Sequence, residues 1–143
     1  MLAFVRLKQR VDDPLTDARI GLAGPIWGLG AALASYAMFA ATKAPIWLAI
    51  AELGAFLNLF NLIPIWQLDG SRGFHALSSA QRFILTLVIA AVYFATHQKM
   101  LLIIGAVAAF RSFQKNSVPG NLGTLLKFAG LVAVLSFMTL RVA

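Results

Sequence analysis

The sequence predicts an all-α polytopic membrane protein with about four to five transmembrane or re-entrant helices and a short N-terminal strand. Two observations carry that expectation. First, 60% of the 143 residues are hydrophobic and only 12% are charged, with a mean hydropathy of +0.82. Ordinary soluble domains are roughly 25% charged, and a chain this short has too much surface for its volume to bury so apolar a composition. Second, the apolar residues gather into long runs divided by short polar segments. The same composition excludes a disordered chain.

The elements follow in order. Residues 1–19 are expected to form a cytoplasmic approach segment. Leu2-Ala3-Phe4-Val5-Arg6-Leu7-Lys8 is short, partly alternating and rich in β-branched and aromatic side chains, which predicts the strand. Asp12-Asp13-Pro14 reads as a turn or helix start, and residues 14–19 as a short helical lead into the membrane. The segment is too charged to be expected as a cleavable signal peptide. Residues 20–113 are expected to be the membrane domain. Within it, residues 20–41 and 46–66 are each long enough for about 30 Å of hydrocarbon, divided by Thr42-Lys43-Ala44-Pro45. Residues 67–82 read as a polar loop holding Asp69, Arg72 and His75. Residues 83–96 and 100–110 reach only about 17–21 Å at helical rise and predict a tight hairpin. Residues 114–143 supply a loop, with Pro119-Gly120 as its turn signal, and a last candidate span, 125–142, weakened by Lys127.

Charge orients the chain. The formal net charge of +7 and a pI near 10.6 would suggest nucleic acid in a soluble protein, but here the cations sit between apolar runs, where lipid headgroups are the expected partners and nucleic acid is not. Arg6, Lys8, Arg10, Arg19, Arg72, Arg82, Arg111 and Lys115 fall on one side of the expected spans; Lys43, Lys99 and Arg141 fall on the other. That asymmetry predicts a multi-pass cell-membrane protein whose N-terminus and 67–82 loop are cytoplasmic. Trp27, Trp47 and Trp66 lie near span ends, as interfacial anchors do. With no cysteine in the chain, disulfide scaffolds, thiolate metal sites and cysteine nucleophiles are excluded.

The informative stretch runs from Asn58 to Gly70. Asn58 and Asn61 are three apart at the end of an apolar helix and so share a face. Pro64 disfavours further helix and frees backbone groups, which membrane depth tolerates only against protein or a water-filled cavity. Asp69-Gly70 follows at the border. Polar groups, a broken helix and a carboxylate in a lipid-facing sequence point to a site; the competing reading makes Asp69 a helix cap and the asparagines interhelical ties. Elsewhere, Glu52 is a costly acid inside a span, expected to be protonated or hydrogen-bonded within the bundle. Gly24 and Gly28 have the spacing of close helix packing.

Asn61-x-x-Pro64-x-x-x-Leu68-Asp69-Gly70 resembles the N-x-x-P-x-x-x-L-D-G motif of the site-2 protease family of intramembrane zinc metallopeptidases. Ala23-Gly24-Pro25, about 45 residues upstream, resembles the A-G-P motif of the same family, and Asp17-Ala18-Arg19 its approach in short bacterial members. The resemblance covers the chain from about Ala3 to Phe113. It implies that Asp69 is the third protein ligand of a catalytic zinc, that Asn61 holds substrate or shapes the site, and that Pro64, Gly70, Gly24 and Pro25 set its geometry. It further implies transmembrane protein substrates, and an edge strand at residues 1–8 for extended substrate. Three protein ligands and one open position are the usual form of a catalytic zinc.

The chain departs from that family in one decisive respect. The other two ligands come from an H-E-x-x-H helix, whose glutamate is the general base, and no such motif occurs in these 143 residues; the only glutamate is Glu52 and the only histidines are His75 and His97. Ser71 stands where many members carry a second glycine. His97 lies beyond a span from Asp69, so Asp69, His75 and His97 are not expected to coordinate together. The function expected from sequence is therefore the C-terminal part of a site-2 protease-like metallopeptidase, inactive by itself, with the metal helix encoded upstream of Met1 or in an adjacent reading frame. The alternatives are a non-catalytic family member that binds membrane-protein segments, and an unrelated small bundle in which Asp69 is a cap.

Overall fold

A computed structural model describes residues 13–65, 68–114 and 118–139, and among these every regular element is helical. The expected strand at residues 2–8 lies outside the described residues. The helices are α1 (Pro14–Thr42), α2 (Pro45–Asn61), α3 (Asp69–His75), α4 (Ser79–Thr96), α5 (Met100–Ser112) and α6 (Leu122–Met138).

Local chemistry sets the ends. Asp13 caps α1 by accepting from the Leu15 amide at 3.3 Å, and Pro14 occupies the first turn, where its missing N–H costs nothing. Ser78 and Gln81 form a reciprocal capping box at α4, and Asn121 caps α6 through the Thr124 amide at 2.8 Å. Residues 14–19, expected as a separate approach, are the first turns of α1, since nothing between Asp13 and Thr42 interrupts that helix. At 29 residues, α1 is about 43 Å long.

Five helices run alternately between two ends of a bundle, and α3 packs antiparallel along the first turns of α1, with Asp69, Arg72 and His75 against Gly24, Gly21 and Asp17. Consecutive helices α1–α2 and α4–α5 form antiparallel hairpins, and α6 packs against α1, α2, α3 and α4. Leu22, Leu59, Leu62, Leu85, Ile89, Phe128 and Leu135 make the core. Two helices, α1 and α4, are long and apolar enough to cross a membrane; α2, α5 and α6 are shorter apolar helices. The outward surface is as apolar as the core, with Trp27 80%, Phe94 73% and Phe110 69% exposed. Such a surface suits lipid contact.

Three expectations need correction. The 67–82 segment is not simply a loop, since it contains α3 and the first turn of α4. The second apolar run stops being helical at Asn61 rather than Trp66, because Pro64 removes a donor and crowds the preceding turn. Arg82 and Arg111 are not free loop cations: Arg82 is only 4% exposed, and both serve as donors to backbone carbonyls, as described next.

Candidate functional site

The two motifs meet in the N-terminal third of α1. Gly21, Gly24 and Pro25 form the face on which α3 rests. A Cβ at Gly24 would stand 3.0 Å from Asp69 Oδ2, and one at Gly21 would overlap the Arg72 side chain. Pro25, inside α1, also removes the amide that would bond the Gly21 carbonyl. Gly24 is exposed while Pro25 is buried, so the Asp69 carboxylate is presented on the outer face of the bundle, not inside its core.

Asp69 is the first residue of α3. Leu68 occupies the cap position and no side-chain bond closes the helix there, so Asp69 does not act as the cap that the competing reading requires. Burial pushes the Asp69 carboxyl above the ordinary aspartate value, opposed by a smaller pull from Arg72. Gly70, next in sequence, sits against the backbone of Leu62, where any side chain would overlap the carbonyl. This contact ties the L-D-G turn to the end of α2.

Asn58 and Asn61 share a face of α2, as expected. Asn58 donates through Nδ2 to the Gly54 carbonyl at 2.8 Å, and its amide fills the space that a Cβ at Gly28 would need. The Gly24/Gly28 spacing is thus used within the chain, the first glycine admitting α3 and the second α2. Asn61 closes α2 half-buried, and Pro64 is buried three residues past it.

Sequence reading treated Arg82 and Arg111 as topology markers and missed that they hold α3. Arg111 Nη1 donates to the Pro64 carbonyl and to Ser71 Oγ, both at 3.1 Å. Arg82 Nη2 donates to the Phe74 carbonyl at 3.0 Å. Both guanidiniums stack near the Phe74 ring, at 5.0 and 5.1 Å from its centroid, and Phe74 itself meets Phe128 edge to face at 5.9 Å. The Pro64 carbonyl, past the end of α2, thereby finds a donor, and the Phe74 carbonyl gains one beside the Leu77 amide. Ser71 is one of the points gripped. A second missed contact joins Asp17 and His75, 58 residues apart: His75 Nδ1 donates to Asp17 Oδ2 at 2.5 Å, with Arg72 Nη1 at 3.9 Å from the other oxygen.

These residues do not make a zinc site by themselves. Among the described residues no three His, Asp or Glu side chains converge. His75 ends α3 and is committed to Asp17, whereas His97 caps the far end of α4, 18 helical residues away. Compared with models of known families, with curated proteins and with solved structures, the chain finds no match in any of the three.

Proposed function

We propose that this chain is the C-terminal part of a site-2 protease-like intramembrane metallopeptidase, contributing one metal ligand and the substrate-side framework of a peptidase site. One observation supports the reading above others: the A-G-P and L-D-G segments, about 45 residues apart in sequence, are in contact, and the contact lays the Asp69 carboxylate on the bare backbone of Gly24. A glycine there lets that carboxylate approach α1 closely, beside an exposed stretch of the helix. The residues of this chain would then divide the work. Asp69 offers the ligand oxygen, Gly70 and Pro64 fix the turn that carries it, Arg111 and Arg82 hold that turn down, and Asn58 and Asn61 present amide groups along the adjoining face of α2. The two further ligands and the general base have to come from outside these 143 residues, so the chain alone does not hydrolyse peptide bonds.

In this reading the protein is multi-pass, with all five long helices in the membrane, and the α3 end and the N-terminus face the cytoplasm. The cation asymmetry supports that orientation. A second reading, a non-catalytic protein that binds membrane segments, is favoured by the absence of any H-E-x-x-H from the sequence. One experiment separates them. The chain is fused behind a helix bearing H-E-x-x-H and assayed on a model transmembrane peptide. Cleavage that Asp69→Ala abolishes supports the peptidase reading, and no cleavage by the fusion, with peptide binding retained, supports the second.

A further inference from the structure

Helices α1 and α6 run parallel and leave two hollows along their outer side, the two ends of one shallow groove. At the α3 end its walls are Arg19, Ile26, Trp27, Thr124 and Lys127. Toward the opposite end they are Leu33, Tyr36, Val134 and Phe137, where Tyr36 Oη donates to the Met138 carbonyl at 2.9 Å. Among the described lining residues, all charge is therefore at one end. Arg19 and Lys127 are both exposed and come from different helices, and no described carboxylate lies within ion-pair distance of either. The acid whose charge Arg19 feels, Asp13, has its oxygens engaged by the Leu15 amide and Thr16 Oγ1. Trp27 stands in the groove wall 80% exposed, eight residues, or about 12 Å, along α1 from Arg19.

We propose that this groove binds one anionic phospholipid, its phosphate between Arg19 and Lys127 and an acyl chain along Ile26, Trp27 and Leu33. The asymmetry of the walls selects this occupant. A lipid carries one anionic end and a long apolar remainder, as the groove requires, whereas a transmembrane helix has its backbone groups paired internally and brings no anion to the two cations. The dimensions agree. Arg19 to Leu33 spans 14 residues, about 21 Å, enough for an acyl chain that fills one leaflet of a hydrocarbon core about 30 Å thick. The site lies on the α6 side of α1 and uses none of the residues assigned to the peptidase reading, so it stands or falls independently of that reading.

The test uses the full chain purified in detergent, with dioleoylphosphatidylglycerol, dioleoylphosphatidylcholine and glycerol 1-phosphate as probes. Bound lipid is counted by native mass spectrometry and affinity taken from thermal shift. One phosphatidylglycerol per chain is expected, in preference to phosphatidylcholine, with no measurable binding of glycerol phosphate. Each cation at a membrane surface is worth roughly five-fold in affinity, so Arg19→Gln with Lys127→Gln should weaken phosphatidylglycerol about thirty-fold and leave phosphatidylcholine unchanged. Arg19→Lys with Lys127→Arg should keep the preference. Ala133→Trp, in the wall of the apolar end, should reduce both lipids while leaving the two cations in place. Helix content by circular dichroism checks each variant; if the double Gln variant unfolds, the charge-preserving pair and Ala133→Trp still decide the matter. Equal binding of the two lipids, tight binding of glycerol phosphate, or a dimer that Ala133→Trp abolishes and phosphatidylglycerol leaves intact would each overturn the proposal.

Discussion

Gly70→Ala tests the joint on which the site depends. Gly70 is buried in the first turn of α3, and a Cβ there would overlap the carbonyl, carbon and Cα of Leu62. Those atoms are backbone and cannot swing aside. The Leu62 amide donates to the Leu59 carbonyl at 3.0 Å, and the Leu62 side chain is wholly buried. Overpacking of this kind costs about 1–3 kcal/mol, against a helix-propensity gain of about 0.5–1 kcal/mol from replacing glycine. The net expectation is a loss of about 1–2 kcal/mol, with α3 lifted from α1. Gly30→Ala is the internal control, because nothing lies within 4 Å of a Cβ there; it should gain about 0.5–1 kcal/mol from propensity alone. Gly24→Ala should fall between them, since its Cβ meets only a movable side-chain oxygen at 3.0 Å. Unfolding of the three variants in mixed micelles, titrated with sodium dodecyl sulfate, measures the order. If Gly70→Ala is as stable as Gly30→Ala, the contact between the L-D-G turn and the end of α2 is wrong.

Three further outcomes follow from the same geometry. Because burial raises the Asp69 pKa, the folded chain holds this proton more tightly than the unfolded chain does; stability should fall as pH rises from the ordinary value of 3.8 through the raised one, and Asp69→Asn should remove that slope, becoming the more stable form at neutral pH. Thermal unfolding across pH 3–7 checks it, and parallel profiles would contradict it. Arg111→Met removes two hydrogen bonds donated by Nη1, each worth about 1.5–3 kcal/mol, so it should destabilise the chain by about 3–6 kcal/mol and speed amide exchange in α3 specifically, while Arg111→Lys should recover only part because the planar guanidinium over the Phe74 ring is lost. For topology, a single cysteine placed at exposed Thr42 should react with an impermeant thiol reagent on intact cells and one at exposed Gln114 should not; the reverse pattern would invert the proposed orientation.

How far the sequence revealed this arrangement varied with the physics behind each feature. The α4–α5 hairpin and the break at Pro64 were legible, because run length and proline act locally, but α4 was expected to be short and instead begins at Ser79 and is long enough to cross a membrane. Helix α3 was not: its seven residues include two glycines, a serine and a histidine, a poor helical composition, and tertiary contacts supply what propensity lacks. Phe74 packed on Phe128, and the Arg82 and Arg111 donors, are such contacts. A cation that satisfies buried carbonyls looks the same in sequence as one bathed in headgroups, which is why both arginines were read as loop charge. The Asp17–His75 pair left no local signal, since 58 residues separate its members. Asp69, Gly24, Asn61 and Pro64 were singled out by motif spacing alone. Their spacing could not reveal that Gly24 is exposed, or that the carboxylate therefore faces outward.

The measurement closest to the central claim is the zinc content of the chain fused behind a helix bearing H-E-x-x-H, determined by metal analysis after purification and dialysis. The account predicts one zinc per fusion protein, loss of that zinc in Asp69→Ala, and retention in Asp13→Ala, whose carboxylate caps α1 at an exposed position. A fusion that keeps its zinc in Asp69→Ala would contradict the assignment of Asp69 as a ligand.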